Sequence, residues 1–95
     1  MKVVIKKILP KYFHDIKHNV KFFEIRKDED DLQIGDIVIF GEWDGKKYTG
    51  ARIPVTVRYV LRNVPEYGLK DGYCIFGWSI RKVFYTRCGT CVIIR

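Results

Sequence analysis

The heptapeptide Lys21-Phe22-Phe23-Glu24-Ile25-Arg26-Lys27 decides how the rest of the chain is read. Its aromatic and β-branched residues favour an extended strand. Regular alternation puts Phe22, Glu24 and Arg26 on one face and Lys21, Phe23 and Ile25 on the other. Glu24 and Arg26, two residues apart, can then form a same-face ion pair in which each fixes the other's geometry. Lys21 joins them only if it precedes the regular strand, at a turn leading into it. A lysine held there can donate to a phosphate or a base, or act as a base if desolvated. The same residues also read as a solvated strand rim carrying an ordinary ion pair of little worth.

Working outward, Val3-Val4-Ile5 opens a strand that runs to about Ile8. Pro10 suits the first turn of a helix, where its missing N–H costs nothing. Phe13, Ile16 and Val20 give that helix one buried stripe, and Asn19 can adopt the left-handed conformation that ends it. On the other side, Asp28–Asp31 reads as a solvated loop and Gly35-Asp36 as a turn. The unbroken apolar run Ile37-Val38-Ile39-Phe40 predicts a strand covered on both faces. Asp44-Gly45 is a hairpin signal, with a loop expected to run towards residue 52. Ile53, Val55, Val57, Tyr59 and Leu61 alternate with Pro54, Thr56, Arg58, Val60 and Arg62, the clearest strand pattern in the chain. Pro54 cannot donate to a ladder, so its end of the strand belongs at an edge or bulge. After a loop from Asn63 to Gly72 comes a fifth strand, Tyr73 to Ile80. Val83–Tyr85 and Cys91–Ile94 suggest a final hairpin turning at Cys88-Gly89. The expected fold is mainly β with one or two short helices (α+β), a small, partly closed β-barrel formed by a single domain over residues 1–95.

With 47% hydrophobic and 15% aromatic residues in 95, the chain has the means to bury a core and is not a disordered polar sequence. The net charge of +7 is unevenly spread. Residues 1–27 hold eight Lys or Arg against two acids, residues 28–31 are four acids, and residues 81–95 hold four bases and no acid. Such a surface suits a polyanion, and it equally suits solubility. No apolar run reaches the roughly 20 residues of a membrane helix. The charged N-terminus does not read as a secretory signal, and three cysteines do not make a disulfide framework, so the cytoplasm is the expected location.

Further candidates are weaker. His14 and His18, four apart on the helix, share a face but make only two ligands, and a plain helix surface explains them as well. Cys88-x-x-Cys91 lacks a second such pair, with Cys74 at most a third zinc ligand. It is followed by β-branched Val92-Ile93-Ile94 instead of the helix a redox motif opens. No metal or cofactor is therefore expected. Trp43, Tyr48, Tyr67 and Tyr73 lie near Lys46, Lys47, Arg52 and Lys70, an interleaving that suits stacking on unpaired bases with phosphate contact. Trp43 and Tyr73 equally suit closing the ends of a barrel.

Several stretches together resemble a known family. They are Ile8-Leu9-Pro10-x-x-Phe13, Lys21-x-Phe23-Glu24-Ile25-Arg26-Lys27, Gly35-Asp36, Glu42-Trp43-Asp44 and Tyr48-Thr49-Gly50. In this order they resemble the ASCH branch of the PUA-like superfamily, in particular a small bacterial and phage group with no assigned activity. Lys21, Glu24 and Arg26 match the last three fixed positions of the signature Gly-x-Lys-x-x-Glu-x-Arg, and Asn19 stands where its glycine would be. Val4 replaces a histidine common in the group, and the tail after about Arg81 has no counterpart. The resemblance, over roughly residues 4–80, implies a β-barrel with a cleft beside the first helix and a background in RNA binding. Some ASCH proteins are hydrolases of acetylated cytidine that use Lys, Thr and Glu, and others are described as ribonucleases. The hydrolases' Lys falls at Lys21 and their Thr at Glu24, so the nucleophile is missing here.

The leading expectation is a module that binds RNA or a modified nucleotide in the cleft, with Lys21, Arg26, Lys46, Lys47, Arg52 and Trp43 making contact. A second is a small hydrolase of a modified nucleoside or RNA with Lys21 and Glu24 as acid–base partners. A third is a protein-interaction module using the acidic loop and the basic tail.

Overall fold

The computed structural model describes residues 1–79 and, as backbone, the strands Lys82–Tyr85 and Cys91–Ile94. Six strands and one helix make up the main body: β1 (Val3–Ile8), α1 (Pro10–Lys17), β2 (Phe23–Lys27), β3 (Ile37–Trp43), β4 (Tyr48–Thr56), β5 (Tyr59–Leu61) and β6 (Tyr73–Gly77). A single 3-10 turn, Pro65–Tyr67, interrupts the loop between β5 and β6. The fold is mainly β with one short helix. The tail strands β7 (Lys82–Tyr85) and β8 (Cys91–Ile94) pair antiparallel, as the expected hairpin requires. Its turn at Cys88-Gly89 lies outside the described residues.

The strands of the main body form two three-stranded sheets, β1-β3-β4 and β2-β6-β5, and among the described residues they do not close into a barrel. In the first sheet β1 runs parallel to β3, a pairing that requires the long crossover through α1 and β2. β3 is its central strand, with Val38 and Phe40 fully buried on one face and Ile37 and Ile39 half-buried on the other. The expectation of cover on both faces is thus met fully only on the inner one. Core residues come from both sheets and the helix: Phe40 and Phe76 stack at 6.2 Å, in one cluster with Val38, Val55, Val57 and Phe13 and Ile16 of α1, and Trp78 packs against it. Each such side chain contributes about 1.5–3 kcal/mol on burial.

α1 begins at Pro10 and ends in a Schellman motif. The Val20 amide donates to the Asp15 carbonyl at 2.8 Å and the Asn19 amide to the Ile16 carbonyl at 3.1 Å, with Asn19 left-handed at φ 56°. Val20 lies beyond the helix and is exposed, so the buried stripe is Phe13 and Ile16 alone.

Two further expectations need correction. The long alternating run from Ile53 is two strands, one in each sheet. β4 starts at Tyr48, after a four-residue turn, and as the edge strand it tolerates Pro54. The chain then bends at Val57-Arg58: the Val57 amide donates to the Asp36 carbonyl, and the Arg58 amide to the Gly77 carbonyl, both at 2.8 Å. Val57 is fully buried, whereas Tyr59, in phase with it by alternation, is exposed. The second correction concerns the acidic loop. Asp28 takes a forked pair of hydrogen bonds from Arg62, and the Lys6 ammonium, buried on the inner face of β1, lies 2.6 Å from Asp30. The loop is tied to both sheets by partners 34 and 24 residues away.

Asp36 is buried at the bend. Its carboxylate accepts the Lys2 amide at 2.9 Å and the Gln33 amide at 2.8 Å, with the Lys2 ammonium 3.5 Å away. The Lys2 and Gln33 amides, in that order, lower its pKa. A group whose folded pKa lies below its unfolded value of 3.8 stabilises above that pH and loses the contribution as pH falls through the folded pKa. Asp36→Asn is therefore expected to melt below wild type at pH 7, with the gap narrowing below about pH 4. Thermal melts from pH 7 to 2.5 check this, and a gap independent of pH would mean that the charge contributes nothing. Among the described residues, no helix is long and apolar enough to cross a membrane.

Candidate functional site

A cleft of about 360 Å³ opens beside α1, between the edge strands β1 and β2. Lys7, Ile8 and Leu9 form one side, Tyr12 of α1 the end, and Lys21 with Phe23–Arg26 the other side. The sheets do not pair here. Instead Arg26 Nη2 donates to the Lys7 carbonyl at 2.8 Å and bridges the two edges.

The strand β2 starts at Phe23, so Lys21 stands before it, in the turn that the Schellman motif sets up. Its amide donates to the Asp15 carbonyl at 3.1 Å. Freed from strand alternation, the Lys21 side chain reaches Glu24: Nζ lies 3.0 Å from Oε1. Arg26 Nε takes the other oxygen, 2.6 Å from Oε2. Glu24 is 7% exposed and holds two cations, one on each oxygen. The Lys21 ammonium also lies 4.9 Å from the ring centroids of both Tyr12 and Phe23, a favourable arrangement for a cation against aromatic faces. Lys7, Lys21 and Arg26 against Glu24 leave the cleft lining with two positive charges in excess.

Of the expected nucleic-acid contacts, Lys21 and Arg26 meet in the cleft together with Glu24. Trp43 sits next to it, linked by Lys7, whose ammonium is 3.8 Å from the Trp43 ring centroid. Tyr48 packs edge-on against Trp43 and lies over Gly41, where an added Cβ would come within 2.8 Å of the ring. Lys46 and Lys47 lie at the exposed tip of the β3–β4 hairpin and do not line the cleft. Their amides donate to Asp44 Oδ1 at 2.8 and 2.9 Å, and these bonds, the Lys47 amide first, hold the Asp44 carboxyl below its usual range. Arg52, opposite Gly41 on β4, is exposed and also outside the cleft lining.

Lys7 and Tyr12 line the cleft without having been singled out in the sequence. Tyr12 left a usable signal: it is an aromatic residue beside the buried Phe13 on a helix whose apolar stripe is already complete. Lys7 left none, since its place depends on how the two sheets meet. His14 and His18 are exposed, with ring centroids 4.0 Å apart, and His18 Nδ1 contacts the His14 carbonyl at 2.8 Å. Among the described residues no three potential metal ligands cluster. Cys88 lies outside the described residues. Cys74 is a buried free thiol that burial pushes up in pKa, with the Asp28 carboxylate adding to the effect.

Removing the shared acceptor tests how far the cleft depends on it. Glu24→Gln leaves two cations competing for a neutral amide and is expected to lower stability by about 1–3 kcal/mol. Urea unfolding measures this; an unchanged midpoint would mean that water replaces the pairing in full.

No curated protein matches the chain. A family model described as "Domain of unknown function (DUF3850)" matches residues 5–78, from within β1 to the residue after β6. That match spans the helix, both sheets and the whole cleft, and the chain belongs to the DUF3850 family.

Proposed function

We propose that the chain binds a nucleotide, within RNA or as a free modified nucleotide, in the cleft beside α1, and that it does so in the cytoplasm. The observation that carries this reading is the convergence of Lys21, Glu24 and Arg26 under two aromatic rings. A nucleobase needs a π-face partner and both donors and acceptors along its edge. Tyr12 and Phe23 supply the rings, Glu24 an acceptor for an amino group, and Lys21 and Arg26 donors for a carbonyl or a phosphate. The volume of about 360 Å³ sits near the lower end of small-ligand sites, the scale of one nucleotide. The resemblance to ASCH proteins adds support from the superfamily's RNA-binding background.

A second reading has one observation in its favour: Lys21 Nζ and Glu24 Oε1, 3.0 Å apart, are within proton-transfer distance. Acid–base hydrolysis of a modified nucleoside would use that pair. Among the described residues the cleft lining holds no Ser, Thr or Cys, and a reaction run by Lys21 and Glu24 as acid–base partners would take an activated water as its nucleophile.

Binding of labelled single-stranded RNA, duplex RNA and DNA at two salt concentrations tests the first reading. Salt-sensitive binding is expected, and replacing Lys21 and Arg26 together by Ala should weaken it at least about tenfold and flatten the salt slope by about 1.4, the share of two phosphate contacts on a single strand. A circular-dichroism melt confirms that the variant is folded. Absence of binding at low salt, or binding unchanged in the variant, would overturn the reading. Turnover of acetylated cytidine that Glu24→Gln abolishes would favour the second.

A further inference from the structure

The outer face of the second sheet carries a feature separate from the cleft floor. In the registers of β2, β6 and β5, Phe23 and Tyr59 both stand opposite Gly77, so the three form one row across the sheet. Directly opposed residues point to the same side. The neighbouring row, Glu24, Phe76 and Val60, points inward, with Phe76 fully buried. Phe23 and Tyr59 point outward, 50% and 62% exposed. Two strand spacings set them roughly 9–10 Å apart at the backbone, and Gly77 places no side chain between them. Gly77 has a packing reason of its own, since a Cβ there would come 3.2 Å from the Phe22 carbonyl, and the row therefore holds two rings with no third side chain between them.

The next outward row is Ile25, Ile75 and Leu61, and beyond it Lys27 pairs with Tyr73, so no outward position on the three strands is acidic. Basic groups rim the face. Lys21 lies against Phe23 at one end, while at the other Lys27 is exposed and the Lys70 ammonium is 5.8 Å from the Tyr73 ring centroid. Phe23 also lines the cleft, which makes the two surfaces continuous.

We infer that this face is a stacking platform for single-stranded nucleic acid, with one base on the Phe23–Gly77–Tyr59 row while a neighbouring nucleotide occupies the cleft. The inference rests on the nucleotide reading of the cleft and specifies its substrate as an oligonucleotide. Two exposed rings across a glycine offer a flat, sequence-tolerant surface to a base, and the basic rim meets its phosphates. A second copy of the chain would instead bring an identical basic rim against this one.

Tyr59 lies outside the cleft lining, so its substitution separates the two surfaces. Binding of uridine monophosphate and of oligouridylates of two to six residues is measured by calorimetry for wild type, Tyr59→Ala, Tyr59→Leu and Tyr59→Trp. Wild type is expected to bind the hexamer more tightly than the monophosphate. Both Tyr59→Ala and Tyr59→Leu should weaken hexamer binding about five- to hundredfold, the worth of one base stack, with monophosphate affinity unchanged and Tyr59→Trp near wild type. The Leu variant keeps the apolar bulk, so a loss shared with it is not a folding defect. A hexamer no tighter than the monophosphate, or indifferent to Tyr59, overturns the platform and leaves the cleft reading standing. Tyr59-dependent hexamer binding without monophosphate binding supports the platform and sinks the cleft. Failure of wild type to bind either overturns both. A dimer in sedimentation that Tyr59→Ala dissociates would assign the face to a second copy and overturn the inference.

Discussion

Three stretches of chain meet at the Asp36 carboxylate and its own peptide group. The amides of Lys2 and Gln33 donate to the carboxylate, and the Val57 amide to the main-chain carbonyl. These bonds fix where β1 begins, where the turn before β3 closes, and where β4 gives way to β5. A backbone that leaves one sheet and enters another must pass through a point where no ladder satisfies its polar groups. Here Asp36, Gly35 and Gly77 satisfy them, which lets Val57 sit fully buried at the junction. The two sheets meet there, and their opposite edges, β1 and β2, stand apart at the cleft. The opening of the site is thus set at the bend, by residues that take no part in it.

Much of the fold was legible because it follows from local chemistry. Pro10 starts α1, Asn19 ends it in the left-handed region, and β1 runs from Val3 to Ile8 as its β-branched residues indicate. Pro54 sits on an edge strand, as a residue without an amide hydrogen must. What the sequence hid were events decided at a distance. The alternation from Ile53 to Leu61 runs unbroken through the bend because each sheet happens to supply an apolar residue in the expected phase. Asp28 and Asp30 look like a solvated run until Arg62 and Lys6, remote in sequence, come within reach. With those acids engaged internally, less of that loop is left to meet an acidic-loop partner. Lys6 itself is hidden for the same reason: a lysine in an apolar strand reads as an outward residue unless its counter-ion is known.

The candidate site divides along the same line. The pairing of Glu24 with Arg26 follows from two-residue spacing, and the inclusion of Lys21 was conditional on its standing before the regular strand. The helix cap meets that condition. By ending α1 in two tight backbone bonds, it directs the chain so that Lys21 turns back on Glu24. Tyr12, from the helix, and Lys7, from the far edge, complete the cleft only after the sheets have packed. Lys46, Lys47 and Arg52 belong with the site in composition and not in space.

The order of strands has a consequence for the growing chain. β1, β3 and β4 are all available once residue 56 has been made, whereas β2 and β5 both pair with β6, at residues 73–77. β2 therefore waits about fifty residues for a ladder, roughly 3–10 s at ordinary rates of synthesis. During that interval the first sheet can form, while one wall of the cleft has no ladder partner and its Glu24, 7% exposed in the finished fold, is not yet enclosed. The nascent protein can hold a framework well before its cleft is complete. The segment shared with the family ends at residue 78, directly after the strand that brings this waiting to a close.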